Sequence, residues 1–263
     1  MSQDMRVWLR AGVCRFVGMA AAVALVFGTT AYAAEKASKK ADKKADTTQQ
    51  TDKPADKPAD KAAPSGDLAA IALTLPDASF SSTPLAYVRA NLETPGYKPR
   101  EPFLAPKDVT DISKGKPVTS SAAPTTGKLE MVTDGDKQYA DKAIVTLPAG
   151  TQWVQIDLGA ANEIYAIVLW HYHAAQRVYF DTVVQVSDDP EFKKDVKTVY
   201  NNDDDNSSGL GVGKNNEYVE TYEGKLIDTK GEKGRYVRCC SKGNTSDDFN
   251  HYIEVEVFGK PVK

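Results

Sequence analysis

The chain has 263 residues, 41% of them hydrophobic and 26% charged, with a formal net charge of -3. This is the composition of an ordinary soluble body and excludes a multi-span membrane protein. The charge is unevenly placed: residues 1–66 carry +4 and residues 67–263 carry -7, so the larger part gets no electrostatic help in holding nucleic acid or an anionic membrane.

Residues 1–33 read as an export signal. Arg6, Arg10 and Arg15 precede an apolar run from Phe16 to Gly28, and Ala31-Tyr32-Ala33 supplies a small-residue cleavage site. The run is short for crossing about 30 Å of hydrocarbon. The expectation is therefore a signal peptide cut after Ala33, no transmembrane segment after cleavage, and a secreted protein, periplasmic or extracellular. Residues 34–66 are almost wholly Lys, Ala, Asp, Thr, Gln and Pro, with Asp52-Lys53-Pro54-Ala55 repeated at Asp56-Lys57-Pro58-Ala59. No apolar face exists there to offset the entropy of ordering, which predicts a disordered linker.

Residues 67–108 are intermediate in character. Leu68, Ile71, Ala72 and Leu75 are spaced for one short helical face, whereas Pro76, Pro84, Pro95, Pro99, Pro102 and Pro106 exclude long elements afterwards. Phe80, Leu92, Phe103 and Leu104 recur among the prolines. The segment reads as an extended Pro-rich strap on the domain that follows, residues 109–263.

That domain reads as strands. Val154, Ile156 and Leu158 alternate with Gln155 and Asp157 as a half-buried strand does, ending at Gly159. Glu163 to Trp170 is apolar on both parities, the pattern of a central strand covered on both faces. Val178 to Ser187, Tyr218 to Thr221, Arg235 to Ser241 and Tyr252 to Phe258 supply more strands, and no segment offers a long amphipathic helix. Many antiparallel strands spaced by turns argue for an all-β sandwich or jelly roll. Cys14 leaves with the signal, so Cys239 and Cys240 remain. Neighbours on a strand point to opposite faces, which predicts one buried thiol and one facing outward, with a strained vicinal disulfide as the alternative.

The order of motifs carries a resemblance. Gly115 to Ser121, Val132-Thr133-Asp134-Gly135-Asp136, Gln152 to Gly159, Gln185-Val186-Ser187, Gly234 to Arg238 and Glu254 to Gly259 resemble successive landmarks of the discoidin family, also called coagulation factor 5/8 type C or galactose-binding-like domains. The likeness covers about residues 109 to 261. It implies an eight-stranded antiparallel jelly-roll sandwich whose members bind sugars, phospholipid headgroups or proteins through variable loops. His171-Tyr172-His173 and the Asn201-Asn202-Asp203 loop resemble a bacterial secreted branch.

Candidate site residues follow from side-chain chemistry. His171 and His173 lie at i and i+2 after the central strand, where two imidazoles on one face could share a metal. A hydrolase would also need a third ligand and a carboxylate base, for which Asp181 is nearest. The alternative is a pair of loop histidines bonded to the backbone or a sugar. Arg177 and the amide-rich run Asn201 to Ser208 offer the planar, directed groups that sugar hydroxyls require, with Tyr172, Tyr179 or Phe180 as an aromatic face. Asn and Asp also build turns without any ligand. In the sugar-binding members that the chain resembles, a loop carrying a His meets one carrying an Arg or Asn, which favours His173, Arg177, Asn202 and Asn206. Gly209 to Lys214 imitates a phosphate loop, but the residue after Lys214 is Asn215 and the spacing fails.

Asp134-Gly135-Asp136 sets two carboxylates about a glycine turn, a hard-oxygen arrangement suited to calcium, against a plain Asp-Gly turn. The resemblance adds Glu254 from the last strand to Asp134 and Asp136 as ligands of a structural calcium ion. The expected function is a secreted, non-catalytic module that binds an extracellular glycan or cell-surface polymer. Protein-binding or adhesion is the alternative, and a His-dependent metal hydrolase a third.

Overall fold

The computed structural model describes residues 67–79, 86–93, 98–139 and 144–263. The export signal (1–33), the linker (34–66) and Phe80, Pro84 and Pro95 of the strap lie outside the described residues. The described chain is all-β and its strands pair antiparallel, with one short 3-10 turn, Leu129–Thr133. In chain order the strands are β1 (Leu68–Ala70), β2 (Leu104–Pro106), β3 (Thr110–Asp111), β4 (Val118–Ser120), β5 (Val145–Leu147), β6 (Gln152–His171), β7 (Val183–Ser187), β8 (Lys197–Asn201), β9 (Lys225–Ser241) and β10 (Asn250–Pro261). β1 pairs with β2, and the other eight strands form one sheet in the order β3-β10-β6-β9-β7-β8, with β4 on β6 and β5 on β10.

The eight-stranded sheet becomes a sandwich because its long strands bend. β6 runs for 20 residues. Residues 152–157 pair with 241–236 of β9, and pairing resumes at Asn162 with Gly234 after a register break. Gly159 sits in that break at φ +87°, a left-handed conformation that side-chain-bearing residues rarely adopt. The sequence pattern reads Val154 to Leu158 and Glu163 to Trp170 as two strands. They are one strand, because the glycine permits a bend beyond which the pairing with β9 resumes.

The fold-back makes two layers that share a core. One holds β8, β7, the second half of β9, the first half of β6, and β4. The other holds the first half of β9, the second half of β6, β10, β3 and β5. Val154, Ile156, Val184, Val186 and Val237 of the first layer pack with Ile164, Ile167, Leu169, Val255 and Val257 of the second. Each such side chain contributes about 1.5–3 kcal/mol on full burial.

The outer face of the second layer is also covered. Ala166, Val168, Trp170, Ile253 and Phe258 pack with Ile71, Leu73, Phe103 and Ala105 of the strap. This is the reason residues 163–170 are apolar on both parities. A register shift between Ile164 and Ala166 moves the alternation by one residue, so Ile164 and Ile167 face the same core.

Two expectations need correction. Leu68 to Leu75 is not helical: Leu68–Ala70 is strand β1, and its backbone pairs with Leu104–Pro106 as the strap returns on itself. Cys239 and Cys240 are both buried and both free. The alternation holds, but β9 lies inside its layer, and Cys240 is flanked by Trp153 of β6 and Val183 of β7. Burial pushes the Cys240 thiol up to about 12 and that of Cys239 higher still, so neither is a ready nucleophile.

Because β6 and β9 bend near their middles, Gln152 and His171, the two ends of β6, emerge together at the opposite end of the sandwich. The loops after β6, β8 and β9 meet there.

Candidate functional site

Backbone hydrogen bonds stitch these three loops together. Phe180 N–H donates to Gly243 O at 3.1 Å, Lys242 N–H to Phe180 O at 2.9 Å, and Glu220 N–H to Arg177 O at 2.9 Å. Arg177 and Tyr172 lie on the loop after β6. The guanidinium stacks over the Tyr172 ring at 4.3 Å and reaches Asp247 Oδ2 at 3.2 Å and His251 Nδ1 at 3.1 Å. The Tyr179 hydroxyl approaches the same His251 Nδ1 at 3.0 Å. Burial, together with the Arg177 and His171 charges, lowers the His251 pKa to about 4, against the upward pull of Asp247.

Two large rings lie exposed beside this group. Phe249 is 43% exposed with its centroid 6.5 Å from that of His251, and Tyr139 is 40% exposed with its ring edge-on to Tyr172 at 4.7 Å. An open aromatic face beside a guanidinium, a carboxylate and a neutral imidazole can carry the C–H face of a sugar and hold its hydroxyls by directed bonds.

The amide-rich loop behaves differently. Asn202 is buried, and its Oδ1 accepts from Thr182 N–H at 2.6 Å. Asp203, wholly buried, accepts from Ser207 N–H at 3.1 Å, Ser208 N–H at 2.9 Å and the Ser208 hydroxyl at 2.5 Å. Asn206 adopts a left-handed φ of 60° and its Oδ1 accepts from Gly211 N–H at 2.7 Å. Asp181, Asp203 and Asp205 bring one carboxylate oxygen each to within 4.8 Å of one another. Ser207 Oγ donates to Asp181, and Lys242 lies 3.7 Å from it. Most of this loop's polar groups are spent on shaping the loop itself.

The two histidines of the His-Tyr-His motif do not share a ligand position. His171 has no exposed surface; its Nδ1 lies 2.7 Å from Glu220 Oε1 and its ring stacks on Tyr179 at 4.1 Å. His173 is buried with Nε2 3.0 Å from Lys137 O and its carbonyl accepting from Ser79. β6 ends at His171, so the strand alternation that would put both rings on one face lapses one residue later. Among the described residues neither belongs to a group with metal-ligand spacing.

Glu254 and the Asp134 turn are brought together. Gly135, at φ +90°, donates its N–H to both Glu254 oxygens at 3.2 Å. Asp134 and Asp136 are exposed and accept from the N–H groups of Asp136 and Gln138 at 2.8 and 2.9 Å. Glu254 has no exposed surface, and burial pushes its pKa up to about 9, with Asp134 and Glu256 adding to the rise. The nearby cation, Lys137, is bonded to Glu256 instead. A buried carboxylate without a strong counter-charge, beside a second carboxylate and a polar turn, is a donor set that fits a hard divalent cation.

Residues 131–239 match the family model of the F5/F8 type C, NedA-like, galactose-binding domain. Over those residues the sandwich carries the F5/F8 type C, galactose-binding-like pattern. The match begins in the 3-10 turn and ends in β9, so His251 and Glu254 lie beyond it. No curated protein matches the chain. Among solved structures, a family 89 glycoside hydrolase from Clostridium perfringens, in complex with 2-acetamido-1,2-dideoxynojirmycin, is 20% identical at a TM-score of 0.42 and covers 58% of this chain. This chain spans only 15% of that hydrolase. The CBM32 of AlyQ in complex with 4,5-unsaturated mannuronic acid is 23% identical over 54% of this chain and 93% of its own, at a TM-score of 0.37. A chitosan-binding module from a chitosanase/glucanase of Paenibacillus sp. IK-5 is 18% identical over 57% and 98%, at 0.38.

Of the residues that sequence chemistry favours, the sandwich places Arg177 in the open aromatic cluster. Asn202 and Asn206 lie in the self-bonded loop, and His171 and His173 beneath the surface. Sequence reasoning misses Tyr139, Asp247, Phe249 and His251 as a group. Phe249 carries the one usable signal: a large ring in the polar run Asn244 to His251, where packing does not require it.

Proposed function

We propose that this protein is an exported, non-catalytic carbohydrate-binding module whose glycan lies across Phe249 and Tyr139 and is held by Arg177, Asp247 and His251. The observation that carries the reading is the pair of exposed rings flanking a guanidinium, a carboxylate and an imidazole at the loop end. The family description as a galactose-binding domain supports the ligand class. Of the similar modules, one is in complex with 4,5-unsaturated mannuronic acid and another is chitosan-binding, and both ligands are carbohydrates. Burial of His171 and His173 against internal partners supports a binding role over a hydrolytic one.

A structural calcium ion belongs to the same proposal. Glu254 and Asp134 would hold it, joining the last strand to the loop before β5. Its charge would neutralise a buried carboxylate and brace one side of the loop end. The test of function is a glycan array probed with the full-length chain. Selective glycan binding sustains the reading; an array without binding, together with retention of a protein partner, replaces it with adhesion to protein.

A further inference from the structure

His251 is approached at one ring nitrogen from two sides. Arg177 Nη1 lies 3.1 Å from Nδ1 and the Tyr179 hydroxyl 3.0 Å from it. A guanidinium can only donate, so Nδ1 must present its lone pair. Tyr179 is equally constrained. A phenol hydroxyl carries one proton, and with the Nδ1 lone pair 3.0 Å away it donates there. Its ring has no exposed surface and is stacked on His171, which Glu220 holds, so the phenol oxygen is fixed in place.

We propose that Arg177 and Tyr179 fix His251 as the neutral tautomer protonated at Nε2, and that this N–H is the donor to an acceptor oxygen of the bound sugar. The inference rests on the carbohydrate reading above and names the recognition chemistry within that site. His251 is 12% exposed at the rim beside Phe249 and Tyr172, and the 31%-exposed Asp247 carboxylate lies 3.9 Å from Nδ1 as an acceptor. The site therefore offers one fixed donor next to one fixed acceptor, which a sugar satisfies with an acceptor oxygen and a neighbouring hydroxyl. The charged form is opposed from inside: protonating Nδ1 would set an N–H against the Arg177 guanidinium. Arg177 and His171 disfavour that charge, Asp247 favours it, and the surrounding rings of Tyr172, Tyr179 and Phe249 keep water away.

Tyr179 and Glu220 are positioning residues here, because they act through His251. Two readouts test the proposal. Two-bond 1H–15N correlation of the full chain should show His251 with Nδ1 unprotonated and Nε2 protonated; a proton on Nδ1 near neutral pH overturns the proposal whatever the array shows. The glycan array is then repeated with His251→Gln and His251→Asn. A glutamine amide reaches the Nε2 position and can replace its N–H, whereas an asparagine amide reaches only Nδ1. His251→Gln should keep affinity within about threefold and His251→Asn should lose tenfold or more, at similar melting temperatures. Equal binding by both variants and the wild-type chain overturns the donor role. A wild-type array without any binding overturns the carbohydrate reading itself, and with it the sugar contact.

Discussion

Two polar clusters share the loop end and use their side chains in opposite ways. Around Asp203, the buried carboxylate is bonded to the backbone of its own loop and the buried Asn202 amide to the backbone of Thr182 just before β7. Around Arg177, the charged and imidazole groups bond one another across three loops, and two large rings beside them remain open. The difference teaches that a run of Asn and Asp in sequence marks a loop that must hold its own shape. A binding surface is marked instead by apolar area left uncovered next to groups fixed from behind.

The sharpest break of this comparison is Asp203→Ala. It removes the carboxylate that accepts from the Ser208 N–H and hydroxyl and shares the Ser207 N–H with Asp205, and hydrogen bonds to a charged group are worth about 1.5–3 kcal/mol each, so a loss of about 3 kcal/mol is expected. Thermal melts should show it, while glycan affinity of the folded protein stays the same. Calcium comes next in size. An ion bound only by the folded state at a hundredfold excess over Kd adds about 2.7 kcal/mol. Chelation should lower the melting temperature, calcium should restore it, and Asp134→Ala should remove the response.

Phe249→Ala probes the open cluster. It should weaken glycan binding about tenfold, or about 1.4 kcal/mol, with the melting temperature unchanged, because the ring is exposed. Acidification should act more gradually. The folded His251 pKa of about 4 lies below the unfolded value of 6.5, so the unfolded chain takes up a proton that the folded one refuses. The stability this contributes is complete above pH 6.5 and is lost as pH falls toward 4. His251→Gln should flatten that part of the pH profile. The smallest effect belongs to Asn206→Gly, since glycine accepts the left-handed backbone at that position and only the exposed hydrogen bond from Gly211 N–H is lost; stability should fall by no more than about 1 kcal/mol and binding should not change.

The fold is legible in the sequence because strand alternation and burial are local and periodic. Val154 to Leu158 shows its inner face directly, and the two-faced run ending at Trp170 announces cover on both sides before the strap is seen to supply it. Gly159 reads as a strand end because a bend and an end look alike when pairing is invisible. The site is less legible. Arg177 is identifiable from its chemistry, but its partners Asp247 and His251 lie some seventy residues away and meet it only through the stitching of loops. Cys240 is misread for a similar reason: which face of β9 is covered depends on strands distant in sequence.

The central claim is that the glycan sits on the Arg177 cluster and not on the Asp203 loop. Chemical-shift mapping of the labelled protein, with a glycan taken from the array, tests it most directly. Perturbations should centre on Tyr139, Tyr172, Arg177, Phe249 and His251 while Asn202 to Ser208 stay still. Shifts centred on Asn202 to Ser208, with Phe249 and His251 unmoved, would contradict the account.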